Sequence, residues 1–158
     1  MRNKRILTVP ILLIGLLALL TTTAFATTSG HRVSPTIVGA WMMTIPKTAT
    51  SPETNETMQT FFADGNYIET NNNSKAGSTG HGIWMGSNNT YLYTFQVFTS
   101  DAQGNYTGKR IVHGTIHMDD SDHFTGKGSA DVVDAAGKVM KNVFSATFEG
   151  TRMEMQVP

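Results

Sequence analysis

The feature that most constrains this chain is a series of short β-rich runs separated by clusters of Gly, Asn and Asp. The clearest example covers residues 79–100, where runs at 81–85 and 90–99 flank a turn-forming cluster at 86–89. Two β-rich runs around such a cluster are the signature of an antiparallel hairpin. The sequence therefore predicts a pair of antiparallel strands most clearly in this region.

The second run of the hairpin has the two-residue period of a half-buried strand. Tyr91, Tyr93 and Phe95 fall on one face, because successive side chains of a strand alternate. Leu92 and Phe98 interrupt the alternation by placing apolar side chains on the other face. This pattern is expected where both faces of a strand meet apolar surroundings, as in a small barrel or a sandwich.

Similar runs follow one another along the rest of the chain and give about eight or nine strands in total. Short turns between consecutive strands predict an all-β, antiparallel up-and-down meander. We expect it to close into a barrel, since closure removes exposed strand edges, and an open sandwich is the alternative. The further runs are at residues 37–45, 57–63, 67–70, 106–118, 123–133, 139–148 and 151–157.

The N-terminal segment has the three-part pattern of a secretory signal peptide over residues 1–26. Basic residues come first, an apolar run covers residues 6–20, and the small residues Ala24 and Ala26 precede the expected cleavage site. The apolar run is shorter than the roughly 20 residues that span a bilayer and contains Pro10, so no membrane anchor is expected. We therefore expect a secreted or periplasmic protein.

Cleavage would leave 132 of the 158 residues, a length that fits one domain. Residues 27–35 are polar and predict a flexible leader, and residues 36–158 predict a single β-barrel domain. Loss of Arg2, Lys4 and Arg5 lowers Lys+Arg from 12 to 9 against 12 Asp+Glu, which gives a net charge of −3. That charge excludes a basic surface for nucleic acid. The absence of Cys excludes disulfides, so the hydrophobic core alone must hold the domain.

Two residues from the first and last predicted strands carry a resemblance to a known family. The first strand contains the G-x-W tripeptide at residues 39–41, and Arg152 lies near the C-terminal end of the chain. This combination resembles lipocalin-like, calycin-type β-barrels. The resemblance implies a structural pair in which the Arg152 guanidinium stacks on the Trp41 indole and closes the bottom of the barrel. It implies no catalytic group.

The histidines carry the sharpest chemical hypothesis. His113, Thr115 and His117 are two residues apart and share one face of a strand, while Ile116 and Met118 lie on the other. If the histidine face lines the interior, two imidazoles would converge on a ligand. The apolar character of the opposite face favours the outward orientation for the histidines. No third metal ligand stands at a recognised spacing, so neither a metal site nor a cofactor is predicted.

Catalysis has limited support in the sequence. There is no Cys and no G-x-S-x-G motif for nucleophilic chemistry. His113 or His117 could act with Asp131 as a general base in an isomerase, cyclase or hydrolase. However, Asp131 shares a strand face with Lys127 and Ser129, which is typical of an outer surface. The residues therefore lean toward a protein that is not an enzyme.

The leading functional hypothesis is non-catalytic binding of a small, largely apolar molecule inside the barrel. The aromatic residues and the nine Met residues can either fill the core or surround a ligand cavity, and the sequence leaves this choice open. A structural or protein-interaction module is the further alternative, and the oligomeric state is left open. The candidate ligand-binding residues are Trp84, Tyr91, Tyr93, Phe95, His113 and His117.

Overall fold

Eight antiparallel strands, joined in chain order, form a closed barrel in the computed structural model of the chain. The structure describes residues 36–47, 54–72 and 77–157, so the predicted signal peptide and leader lie outside the described residues. The predicted all-β closed meander is confirmed. The strands are β1 (Gly39–Ile45), β2 (Asn55–Phe61), β3 (Asn66–Asn71), β4 (Gly80–Ser87), β5 (Thr90–Ser100), β6 (Tyr106–Met118), β7 (His123–Asp134) and β8 (Val139–Arg152).

The hairpin that the sequence marks most clearly is formed by β4 and β5. Asn88 and Asn89 connect the strands with φ angles of 53° and 66°. Positive φ at both central residues is the geometry of a two-residue type I′ turn, and Asn is one of the few residues that tolerates it. The tight turn sets the register, in which Ser87 pairs with Thr90 and Trp84 with Tyr93.

Strand alternation directs one face of each strand into a largely aromatic core. On β5 the residues Tyr91, Tyr93, Phe95 and Val97 are all buried, whereas Leu92 is exposed. This is the division between faces that the two-residue period predicts. Other members of the same buried cluster are Ile37, Trp41, Met43, Phe61, Tyr67, Ile116, Met118, Phe124 and Phe148.

Inward-facing glycines make room for these rings on neighbouring strands. The predicted break at residues 149–150 is wrong, because β8 continues unbroken to Arg152. Gly150 faces the interior under the ring of Phe124, and a Cβ at this position would overlap that ring. The glycine therefore serves close packing within a strand rather than a turn. The same arrangement of a ring over a glycine occurs for Phe95 on Gly80, Tyr93 on Gly114 and Phe148 on Gly126.

The barrel closes through a short seam between its first and last strands. β1 pairs with β8 only from Trp41 with Arg152 to Thr44 with Glu149. The preceding part of β8 pairs with β7 on one side. Among the described residues, it has no strand partner on the other side. Residues 139–145 are exposed, so one wall of the barrel is incompletely covered near the end where β8 begins.

Candidate functional site

The two ends of the barrel interior differ in how they are filled. At one end, called the closed end here, Trp41 is fully buried and packs against Phe124 with ring centroids 4.9 Å apart. The Trp41 indole Nε1 donates a 2.8 Å hydrogen bond to the carbonyl of Ile37, which is itself fully buried. This end therefore has a packed apolar interior in which the indole nitrogen is paired.

Arg152 covers the closed end from outside. Its guanidinium carbon lies 4.2 Å from the centroid of the Trp41 ring, a distance suited to a cation–π contact. The guanidinium nitrogens donate to the carbonyls of Thr36, Val38 and Ser121 at 2.8 to 3.0 Å. The side chain thus joins the segment before β1 to the β6–β7 turn, and the structure brings together the two residues that the family resemblance pairs.

The opposite end, called the open end, holds a half-enclosed cavity of about 340 Å³. This volume falls in the lower part of the range of roughly 300–1,000 Å³ that is typical of small-molecule pockets. The walls of the cavity are mostly apolar. They include Met43, Val97, Val112, Phe144 and Phe148. The open end therefore has room for a small ligand against hydrocarbon surface.

A carboxyl group is buried in this cavity. Glu69 lines the cavity and is only 4% exposed. Burial raises the pKa of Glu69, and a side-chain hydrogen bond from Asn71 and the positive charge of Arg110 offset this only in part. Its Oε2 atom has no hydrogen-bond partner among the described residues. A buried carboxyl that is incompletely paired in this way costs stability.

Two further polar side chains lie beside Glu69 on the same side of the interior. Gln59 is its direct register partner on β2, and Tyr67 precedes it by two residues on the inward face of β3. Both are 1% exposed. Gln59 Oε1 and the Tyr67 hydroxyl also have no hydrogen-bond partner among the described residues. We call Gln59, Tyr67 and Glu69 the polar wall.

The predicted aromatic ligand-binding residues divide between the two ends. Tyr93 and Phe95 line the cavity. Burial raises the pKa of Tyr93, so its hydroxyl stays protonated and able to donate. Trp84 and Tyr91 do not line the cavity; their rings contact each other at 5.6 Å deeper in the barrel. The Trp84 indole nitrogen donates to the carbonyl of Phe62 at 2.9 Å, which fixes the ring in the packed region.

The structure places the two candidate histidines on the outer wall. In the β5–β6 register, His113 lies opposite Thr94 and His117 opposite Thr90, whereas the inward Ile116 lies opposite the buried Tyr91. Neither imidazole lines the interior cavity. His117 Nδ1 lies 3.5 Å from the Thr90 hydroxyl, and both groups are exposed. Neither histidine side chain therefore contributes to the lining of the cavity.

Asp131, the predicted partner of the histidines, stabilises an irregular part of the sheet instead. Its carboxylate accepts hydrogen bonds from the Lys141 ammonium and from the backbone nitrogen of Asn142. These contacts lower the pKa of Asp131, with the Lys141 hydrogen bond as the largest cause. The strand register shifts beside Asp131, and Asn142 has a φ of 51°, as in a β-bulge. The Asp131 carboxylate therefore holds the bulged part of β8 against β7.

Sequence reasoning missed the polar wall and Arg110, although strand alternation contained the signal. Tyr67 and Glu69 are two residues apart, so an inward Tyr67 requires an inward Glu69. Arg110 has the same relation to Val112 on β6. A charged residue that shares a strand face with buried apolar residues therefore predicts a polar group in the barrel interior.

The described part of the chain has neither a metal-binding cluster nor a membrane-spanning helix. No group of three or more His, Cys, Asp or Glu side chains there is arranged to hold a metal ion. Within residues 36–47, 54–72 and 77–157, no helix has the length and apolar character needed to cross a bilayer.

Comparison of the chain with protein-family models, with curated proteins and with solved structures found no match. The geometry of the barrel is therefore the basis on which a function can be proposed.

Proposed function

We propose that this protein binds a small, largely apolar molecule in the interior of its β-barrel and performs no chemistry on it. The observation that carries the proposal is the cavity of about 340 Å³ at the open end, which has mostly apolar walls and is half enclosed by the barrel. An eight-stranded barrel can fill its interior completely, so a retained cavity needs an explanation. Ligand binding supplies one.

The experiment that tests this proposal combines a fluorescent probe with a cavity-filling substitution. A small hydrophobic fluorophore such as N-phenylnaphthylamine should show saturable enhancement of its emission with the purified protein. Ala146 lines the cavity, so Ala146→Phe should abolish the enhancement by occupying the site. Ala136→Phe, in the exposed β7–β8 turn, is the matched control and should leave it unchanged. Absence of saturable binding, or binding that Ala146→Phe does not affect, would contradict the proposal.

The position of the histidines supports a binding role over an enzymatic one. Acid–base catalysis inside the barrel needs His113 or His117 within hydrogen-bond reach of a bound molecule. Both lie on the outer wall, and Asp131 bonds to Lys141 and Asn142 instead. The buried Glu69 is the group that remains for polar contact with a ligand.

We also propose that the barrel is lipocalin-like and that the protein is secreted or periplasmic. The stacking of Arg152 on Trp41 supports the first statement, since it is the contact that the resemblance implies. The pattern of residues 1–26 supports the second. Intact-mass measurement of the exported protein should give Thr27 as its first residue, and retention of residues 1–26 in that protein would contradict the assignment.

A second candidate function, as an interaction module, is favoured by an apolar patch on the outer face of the β4–β5 hairpin. Ile83, Met85 and Leu92 are 59%, 66% and 51% exposed, and Met85 pairs directly with Leu92. Contiguous exposed apolar side chains are typical of contact surfaces. Sedimentation velocity of the protein and of a Met85→Lys, Leu92→Lys variant tests this: self-association lost in the variant supports it, and a monomer in both excludes self-association through this patch.

A further inference from the structure

The polar wall has an unmet hydrogen-bonding capacity that an entirely apolar ligand would leave unsatisfied. Three buried polar atoms, one each on Gln59, Tyr67 and Glu69, have no partner among the described residues. Buried polar groups in folded proteins are nearly always paired, and each unpaired one costs about 1–3 kcal/mol. Of the three residues only Glu69 lines the cavity, so its unpaired oxygen is the one that a bound molecule can complete.

We propose that the ligand is amphipathic and that its polar end is a hydrogen-bond donor, an alcohol or an amine, which Glu69 accepts while the hydrocarbon part packs on Phe95, Phe144 and Phe148. This inference rests on the proposed function and narrows it to a chemical class. The three aromatic residues and Glu69 all line the same cavity.

The chemistry of the unpaired atoms determines that the ligand should donate. Both N–H groups of the Gln59 amide have partners, since Nε2 donates to Met43 Sδ at 2.9 Å and to Thr57 Oγ1 at 3.1 Å. Only the acceptor Oε1 of Gln59 is left, and the free atom of Glu69 is also an oxygen. The Tyr67 hydroxyl can donate or accept. Glu69 is the wall residue that lines the cavity, and its oxygen accepts from a ligand O–H or N–H group when the carboxyl is ionised.

The oxygens of Glu69 can reach a ligand without a large change in the protein. The terminal torsion of a glutamate is broad and roughly two-fold, so its two carboxyl oxygens exchange positions at low cost. Oε2 lies beside Gly80, at a position that a Cβ on that residue would crowd. The absence of a side chain at Gly80 thus accommodates both the Glu69 carboxyl and the Phe95 ring next to the cavity.

The Glu69 carboxylate itself disfavours an acidic ligand beside it, because two carboxylates repel each other and neither can donate a hydrogen bond. The titratable and charged groups that face it are Tyr67 on its own strand, Tyr93 on β5 and Arg110 on β6. Burial raises the pKa of both tyrosines, so they stay neutral, and within the described part of the chain Arg110 is the charged residue that acts on Glu69. A ligand carboxylate would place a second acceptor against the wall, whereas an alcohol or an amine meets the acceptors with N–H or O–H groups.

A matched set of ligands tests the inference on the unmodified protein by isothermal titration calorimetry. The compounds n-octanol, n-octylamine, methyl heptyl ether and heptanoate have the same number of non-hydrogen atoms and differ in their polar group. We expect the alcohol and the amine to bind at least about tenfold more tightly than the ether, the difference that one hydrogen bond to a buried carboxyl supplies. Either order of alcohol and amine supports the proposal and identifies the donor.

Two variants connect the preference to Glu69. Glu69→Leu should bring the affinities of alcohol, amine and ether to within about twofold of one another. Glu56→Leu, on the exposed face of β2, is the control and should leave the preference intact. An ether that binds the unmodified protein as tightly as the alcohol and the amine, or a preference for heptanoate, would overturn the inference while the proposed function stands. Failure of all four compounds to bind would remove both.

Discussion

At the closed end of the barrel the Trp41 and Arg152 side chains are paired, whereas Glu69, which lines the cavity at the open end, keeps an unpaired carboxyl oxygen among the described residues. The Trp41 indole donates to Ile37, and the Arg152 guanidinium donates to three carbonyls. Gln59 and Glu69 keep buried oxygens without a partner among the described residues. An arrangement selected only for stability would pair or remove those oxygens. The contrast separates a part of the barrel that holds the fold from the part in which we propose that a ligand binds.

The largest expected effect on stability comes from removing the buried Trp41 ring at the closed end. Trp41→Ala removes a fully buried ring and should lower the free energy of unfolding by about 3–5 kcal/mol. Phe144→Ala, at the rim of the cavity where the ring is 49% exposed, should cost less than about 1 kcal/mol. Urea denaturation of both variants measures the difference. Equal losses would show that the two ends contribute alike to stability.

A smaller effect is expected from Arg152. Arg152→Met removes the stacking on Trp41 and the hydrogen bonds to three carbonyls, and should cost about 2 kcal/mol. Arg152→Lys keeps the charge but not the planar fork, so its loss should fall between those of the methionine variant and the native protein. Thermal unfolding followed by circular dichroism measures both. A lysine variant as stable as the native protein would indicate that charge alone is sufficient there.

Two acidic residues should respond to pH with opposite signs. The pKa of Glu69 is raised by burial, so the unfolded chain ionises first and stability falls as pH rises from the ordinary glutamate range toward the pKa of the folded state. The pKa of Asp131 is lowered by its bond to Lys141, so its contribution is present at neutral pH and is lost as pH falls through the pKa of the folded state.

Substitution of each residue isolates these contributions. Relative to the native protein, Glu69→Gln should gain stability with rising pH, whereas Asp131→Asn should be less stable at neutral pH and approach the native value in acid. Denaturation curves at several pH values give the two trends. A Glu69→Gln difference that does not change with pH would contradict the assignment of a raised pKa.

The smallest expected effect concerns the uncovered part of β8. Residues 139–147 pair with β7, but among the described residues they have no strand partner on the other side. Because successive amides of an antiparallel strand point to opposite sides, alternate amides in this segment should exchange rapidly with solvent, while those of β6 stay protected. Hydrogen exchange followed by NMR tests this. Uniform protection along β8 would show that another part of the chain covers the edge.

Local patterns in the sequence were sufficient to predict most of the fold. The Asn pair at 88–89 and the alternation of Tyr91, Tyr93 and Phe95 predict the hairpin and its inner face, and the series of turns predicts the meander. The predicted break at residues 149–150 was wrong because a glycine under an aromatic ring and a glycine in a turn look the same in one sequence. The difference depends on Phe124, a neighbour from another strand.

The candidate site was harder to predict because it depends on contacts between distant strands. Tyr93 and Phe95 line the cavity, but Trp84 and Tyr91 do not, although all four have the same character in the sequence. Whether an inward ring borders empty space is decided by the residues opposite it. The two-residue spacing from Tyr67 indicates that Glu69 faces inward, but its position beside Gln59 follows only from the register, which is a property of the folded sheet.

The short seam between β1 and β8 also determines how the barrel responds to mechanical force. The N-terminal end of β1 and the C-terminal end of β8 lie side by side, since Trp41 pairs with Arg152. Tension applied at these two points would separate the paired residues one after another rather than load them together. Arg152, through its bonds to the carbonyls of Thr36 and Val38, lies where that separation must begin. The Arg152 side chain therefore resists separation of β1 from β8 at the point where the seam between them begins.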